Sequence, residues 1–150
     1  MVETRGEFHI DPDCLQADEG SSELEIVVPY TDPETTAAAL ARAETLTAGL
    51  EARVQLIAVH TLPYPVPFVC PSLVHAHLVE QLLDLAAGCT LTVQPQVVLA
   101  RDRMDGFKYA LKPCSTVLVA SHRHMWRTQE EKLARSLAEA GHKVALVHIA

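Results

Sequence analysis

The sequence predicts an α/β domain: a five-stranded, parallel, doubly wound sheet with helices on both faces. Three observations predict it. Short apolar runs, clearest at residues 24–28, 116–121 and 143–149, are nearly continuous, as expected of strands covered on both sides. Between the runs lie segments of helical periodicity that start on capping residues and stop at glycine. Strand and helix alternate from residue 24 to the end, and right-handed crossovers turn that alternation into a parallel sheet.

A chain of 150 residues is one domain of ordinary size, able to bury a core without metal or disulfide staples. With 49% hydrophobic and 21% charged residues it has the composition of a globular protein. The formal net charge of −7 is uneven: residues 1–25 hold eight acids against Arg5, and the remainder balances. Residues 1–22 are acidic and aperiodic and read as a mobile tail, leaving 23–150 as the domain. Residues 101–135 carry eight bases and four acids, an excess that suits a small anion or an acidic partner and is too interrupted for a nucleic-acid face.

The four cysteines, Cys14, Cys70, Cys89 and Cys114, form no C-x-x-C pair and read as reduced thiols rather than a disulfide frame or zinc site. No apolar run approaches the roughly 18 residues of a membrane span. The start is acidic where a signal peptide is basic and then apolar, so a cytoplasmic protein is expected, with no membrane partner.

The first strand, 24–28, ends at Pro29. The helix that follows has two possible starts: Thr31 with Glu34 as a capping box, or Asp32 as cap with Pro33 in the first turn. It runs to about Ala48, with Leu40, Ala43, Thr47 and Leu50 on one face and Gly49 near its stop. A second strand, 53–60, leads into a stretch at 61–71 with four prolines, stiff and extended, whose Tyr64 and Phe68 pack on the body or form a partner patch. Residues 72–87 are a helix facing inward through Val74, Leu78, Leu82 and Leu85. His75 and His77, two apart on that helix, diverge and cannot share a metal.

The strand at 91–100 contains Pro95, which cannot donate to a ladder and therefore belongs at a sheet edge. A short helix, 104–111, ends at Lys112-Pro113. The strand 116–121 opens into a loop with His122, Arg123, His124, Trp126 and Arg127, at the carboxyl end of a strand where open α/β sheets bind ligands. Thr128 and Glu131 form a second capping box, and Leu133, Ala134, Leu137 and Ala138 face inward before Gly141. The last strand, 143–149, is apolar on both faces.

This order resembles the universal stress protein family over nearly all of residues 24–149, in the step VVPYTDPETTAAALARA, the strand VQLIAVH and the ending TVLVASHR…KVALVHI. The resemblance implies the strand order 3-2-1-4-5, counted over the five predicted strands, with the Pro95 strand at one edge and 143–149 at the other. It also implies a homodimer joined through that last strand: Val144, Ala145, Leu146, Val147, His148 and Ile149. An exposed apolar edge needs such covering on physical grounds too. In the nucleotide-binding branch of the family the loop after the fourth strand is G-x-x-G, about nine residues, then G-S, so that backbone amides reach the phosphates. Here the stretch is Ala120-Ser121-His122-Arg123-His124-Met125-Trp126, with no glycine before Gly141. The acid that follows the first strand in ATP-binding members is matched in place by Tyr30, with Asp32 two residues later.

The resemblance and the missing glycines favour a non-catalytic, homodimeric regulatory or interaction domain, with no cofactor and ATP disfavoured. The alternative is a module for an adenine nucleotide or other small anion, held by Tyr30, Thr31 and Asp32 on one loop, Ser121, His122, Arg123 and Arg127 on another, and Arg101 and Arg103 from a third. His122-x-His124 as a metal pair lacks a third ligand beyond Cys114. No G-x-S-x-G elbow, P-loop or H-E-x-x-H is present, and Ser121 beside His122 is not a nucleophile and base on spacing alone.

Overall fold

The computed structural model describes residues 2–4, 24–62, 72–122 and 128–149; of residues 2–4 and of Ser72 it describes the backbone. The five expected strands are β2 (Leu24–Pro29), β3 (Ala52–Thr61), β4 (Thr92–Ala100), β5 (Thr116–His122) and β6 (Lys143–Ile149). Between them stand α1 (Pro33–Leu46), α2 (Ser72–Ala87), α3 (Arg103–Ala110) and α4 (Gln129–Glu139). All strand pairings are parallel and the order is β4-β3-β2-β5-β6, which is the 3-2-1-4-5 topology. Pro95 lies on β4, opposite Leu56, at the edge where it removes no ladder bond from a central strand.

The faces follow from the period-two alternation of the strands. Ile26, Val28, Val54, Leu56, Leu118, Ala120, Ala145 and Val147 meet Leu40 and Ala43 of α1 and Leu82 of α2. Val27, Ile57, Val117, Val119, Val144 and Leu146 meet Phe107 of α3 and Leu133, Ala134 and Leu137 of α4. Neighbouring residues of one strand thus feed opposite cores, so a one-residue slip of register would reverse both.

Three expectations are corrected. A further strand, β1 (Val2–Thr4), pairs in parallel with β6 through Val2↔Ala145, Glu3↔Leu146 and Thr4↔Val147, so part of the stretch read as tail belongs to the sheet, and the outer side of β6 is not bare. Residues 5–22, with the rest of that tail, lie outside the described residues. Leu50, expected on the inner face of α1, is exposed because the helix ends at Leu46 and the chain turns through Gly49, at φ +82°. Val74, expected inward, is also exposed: residues 73–77 of α2 are all exposed, and the helix is covered only from Leu78 onward. The proline-rich stretch at 63–71, with Tyr64 and Phe68, lies outside the described residues.

Candidate functional site

The sheet reverses its winding between β2 and β5, so the carboxyl ends of these two strands form the topological switch point. Their register is Ile26↔Thr116 and Val27↔Val117; carried forward by the same offset, it sets Asp32 level with His122. The electrostatics agree. Partial burial pulls the Asp32 carboxyl upward, but hydrogen bonds from Thr35 and the Glu34 amide, with the nearby positive charge of His122, outweigh that and hold it below its ordinary value.

Asp32, not Thr31, is the cap of α1. Its backbone is extended, its Oδ1 accepts from the Thr35 amide at 2.8 Å, and Oδ2 accepts from the Thr35 hydroxyl. The Thr36 amide donates to the Asp32 carbonyl at 3.0 Å, and the Thr36 hydroxyl accepts from the Thr31 amide at 3.2 Å. Pro33 brings no N–H. The amides of Thr31, Glu34, Thr35 and Thr36 are therefore engaged within the turn, and the group doing most of the accepting is a carboxylate.

Tyr30 leaves β2 with its amide on the Ile57 carbonyl at 2.7 Å, and its hydroxyl donates to Gln81 Oε1 of α2 at 3.1 Å. Burial first, then the Asp32 charge, pushes its phenol above its ordinary pKa, so it stays a neutral donor. On the other strand Ser121 is fully buried, its Oγ 2.6 Å from Thr128 Oγ1 and 3.2 Å from the His122 carbonyl. Thr128 caps α4, its Oγ1 accepting from the Glu131 amide at 3.2 Å. A chain of bonds runs from the helix amide through Thr128 and Ser121 to the His122 carbonyl, and it ties the end of β5 to the start of α4.

The structure thus brings Asp32 and His122 together, with Tyr30 and Thr31 leading into Asp32 and Ser121 turned toward the α4 cap, and it gives the two described arginines bonds of their own. Arg101 sends Nη1 to the Leu62 carbonyl at 3.3 Å, beyond the ends of β3 and β4. Arg103 reaches Gln129 Oε1 at 3.3 Å and lies 5.7 Å over the Phe107 ring, on the α3 and α4 side of the sheet. Arg123, His124, Trp126 and Arg127 lie outside the described residues. Sequence reasoning missed Thr36 and Gln81. Thr36 had a signal, since two threonines in a first helical turn are better placed for local hydrogen bonds than for helix propensity; Gln81 had none, because its partner is 51 residues away.

Nothing else among the described residues gathers reactive groups. No cluster of three or more His, Cys, Asp or Glu is placed to hold a metal. Cys89, half-buried and donating to Glu44, has its thiol pushed up to about 11, first by burial and then by that carboxylate, which keeps it protonated and a poor nucleophile at neutral pH. No described helix is long and apolar enough to cross a membrane.

No family model matches the sequence, and neither does any curated protein. Among solved structures, a universal stress protein in complex with cAMP matches with a TM-score of 0.51 and 16% identity, over 87% of this chain and 98% of that one. At that identity the likeness shows the fold: a universal-stress-protein-like α/β sheet.

Proposed function

We propose that the chain is a non-catalytic regulatory domain of the universal-stress-protein type, whose switch-point crevice does not take a nucleoside triphosphate. The observation that carries this reading is the first turn of α1. Phosphates are held at helix starts by unoccupied amides and the positive end of the dipole, whereas here the amides are engaged and the Asp32 carboxylate stands in front of them. Glu34, and Glu130 and Glu131 in the first turn of α4, add negative charge at both helix starts. The absence of glycine between β5 and Gly141 supports the same reading.

A second reading, a site for a small, singly charged adenine nucleotide or other anion, is favoured by the cAMP held by the solved relative in fold and by the basic balance of residues 101–135. Such a ligand would lie against Tyr30, His122 and the loop after it. Calorimetric titration with ATP, with and without magnesium, and separately with cAMP distinguishes the two. The first reading expects no ATP binding tighter than about 10 μM, which corresponds to roughly 7 kcal/mol; tighter binding overturns it. Saturable cAMP binding without ATP binding establishes the second.

The homodimer expected from the sequence remains part of the proposal, but its interface changes. With β1 on β6 from Ala145 to Val147, joining two copies along that edge requires β1 to leave.

A further inference from the structure

Helix α2 is the least buried element on its face. It is 16 residues long, about 24 Å, yet Leu82 is the only residue of it that is buried among those described. Helices of this length hold together mainly by packing an apolar face, and α2 leaves much of its apolar surface outside. Leu73 is 87% exposed and Leu83 52% exposed. With Ala76, Glu80 and Ala87, all exposed, they fall at the alternating spacing of three and four residues that forms a seam between paired helices. This seam is distinct from the inward residues Leu78, Leu82 and Leu85.

The charges on the helix say what kind of surface matches it. α2 has no Lys or Arg; it carries His75 and His77 in its first half and Glu80 and Asp84 in its second. A parallel partner of the same sequence would set acids beside acids. An antiparallel one reverses the halves: about a two-fold axis level with Leu78, Leu73 of one copy meets Leu83 of the other and Ala76 meets Glu80, with His77 one residue along from that Glu80 and flanking it, twice over. Residues at self-complementary positions are what a two-fold interface requires. β4, the edge strand on which α2 packs, adds exposed residues at Thr92, Gln94, Pro95 and Gln96.

We propose that α2 is the self-association surface of this protein and that a second copy of the chain, antiparallel, is its partner. The inference rests on the homodimer of the proposed function and assigns its interface. A helix pair of this length with its flank lies at the low end of specific interfaces, about 1,200 Å² in total, so the dimer forms at micromolar concentration and dissociates on dilution.

The test is sedimentation equilibrium of the full chain at several concentrations, with circular dichroism confirming that each variant is folded. Leu73→Glu with Leu83→Glu, both on the exposed face, weakens association at least about tenfold, as the loss of central apolar anchors does. His77→Glu alone and Glu80→Lys alone each weaken it, and the two together restore it, because each new glutamate then flanks a new lysine. A wild-type dimer indifferent to the leucine substitutions overturns the α2 interface and leaves the dimer to another surface. A monomer at every concentration overturns both. Two single charge variants that weaken association without mutual rescue overturn the antiparallel pairing.

Discussion

The two faces of the sheet are made from the same β-α repeat, yet they hold their helices differently. On one face α3 and α4 are drawn close. Phe107, Leu133, Ala134 and Leu137 are all but fully buried, and Gly106 lies so near the sheet that a Cβ there would stand 2.5 Å from Val59 Cγ1 and 2.9 Å from Ala100 Cβ. On the other face α1 is equally well seated, through Thr35, Thr36, Ala39, Leu40 and Ala43, but α2 beside it touches the core fully at Leu82 alone among its described residues. Helix burial follows position over the sheet. α1 packs on β2 and on β5, in the centre, while α2 packs chiefly on β4, the edge strand. An edge helix has core beneath one side only, and its far side is left for a partner.

The largest effect that tests this contrast comes from truncating buried leucines. Leu137→Ala on α4 and Leu82→Ala on α2 are each expected to cost about 2–5 kcal/mol, because both side chains are fully enclosed. Leu83→Ala, one residue further on, is expected to change stability by no more than about 0.5 kcal/mol in the monomer. Urea titrations at concentrations too dilute for association measure all three. A cost for Leu83→Ala comparable to that of Leu82→Ala would break the contrast, because it would mean that the outward face of α2 is already covered.

Gly106→Ala sharpens the other side of the comparison. Gly106 is in the middle of α3, where alanine is ordinarily the better helix former by about 1 kcal/mol. Here the new methyl has nowhere to go: Val59 and Ala100 belong to strands, and Val59 must change rotamer or α3 must lift away from the sheet. The expected result is a net destabilisation of about 1–3 kcal/mol. A stabilising Gly106→Ala would show that α3 is as loosely held as α2.

The fold was legible because its signals are local. The apolar runs of β2, β5 and β6 are covered on both faces, and Gly49 and Gly141 stop helices at φ +82° and +98°, where other residues are strained. Thr128 caps α4 as its spacing from Glu131 indicates, and Pro95 located the edge. The site was legible only in part. Tyr30, Asp32 and His122 meet as the topology demands, but the choice between Thr31 and Asp32 as cap depended on which start the backbone took. The engagement of Arg101 by Leu62 and of Arg103 by Gln129 depends on where β3 and α4 lie, which no local pattern states. Three residues, Val2-Glu3-Thr4, are too few to show a period, so β1 was read with the acidic stretch around it. The outward seam of α2 was hidden for a different reason: the helix is apolar on two sides, and only its place at the sheet edge decides which side is bare.

The smallest effect separates the caps of α1 and α4, the helices that lie on opposite faces of the sheet. Asp32 caps α1 with a carboxylate and Thr128 caps α4 with a hydroxyl, so one cap titrates and the other does not. Removing either acceptor, by Asp32→Ala or Thr128→Ala, is expected to cost about 0.5–2 kcal/mol near neutral pH. Their pH dependences differ. The folded pKa of Asp32 lies below its ordinary value, so its charge adds stability above the ordinary carboxylate range, and that contribution is lost as the pH falls through the folded pKa. The stability gap between wild type and Asp32→Ala therefore shrinks between about pH 5 and pH 2, while the gap for Thr128→Ala stays level. Thermal unfolding of both variants across that range measures the difference. A gap for Asp32→Ala that is flat with pH would show that the carboxylate gains nothing from its charge at the α1 start, and the main argument against a phosphate there would fall with it.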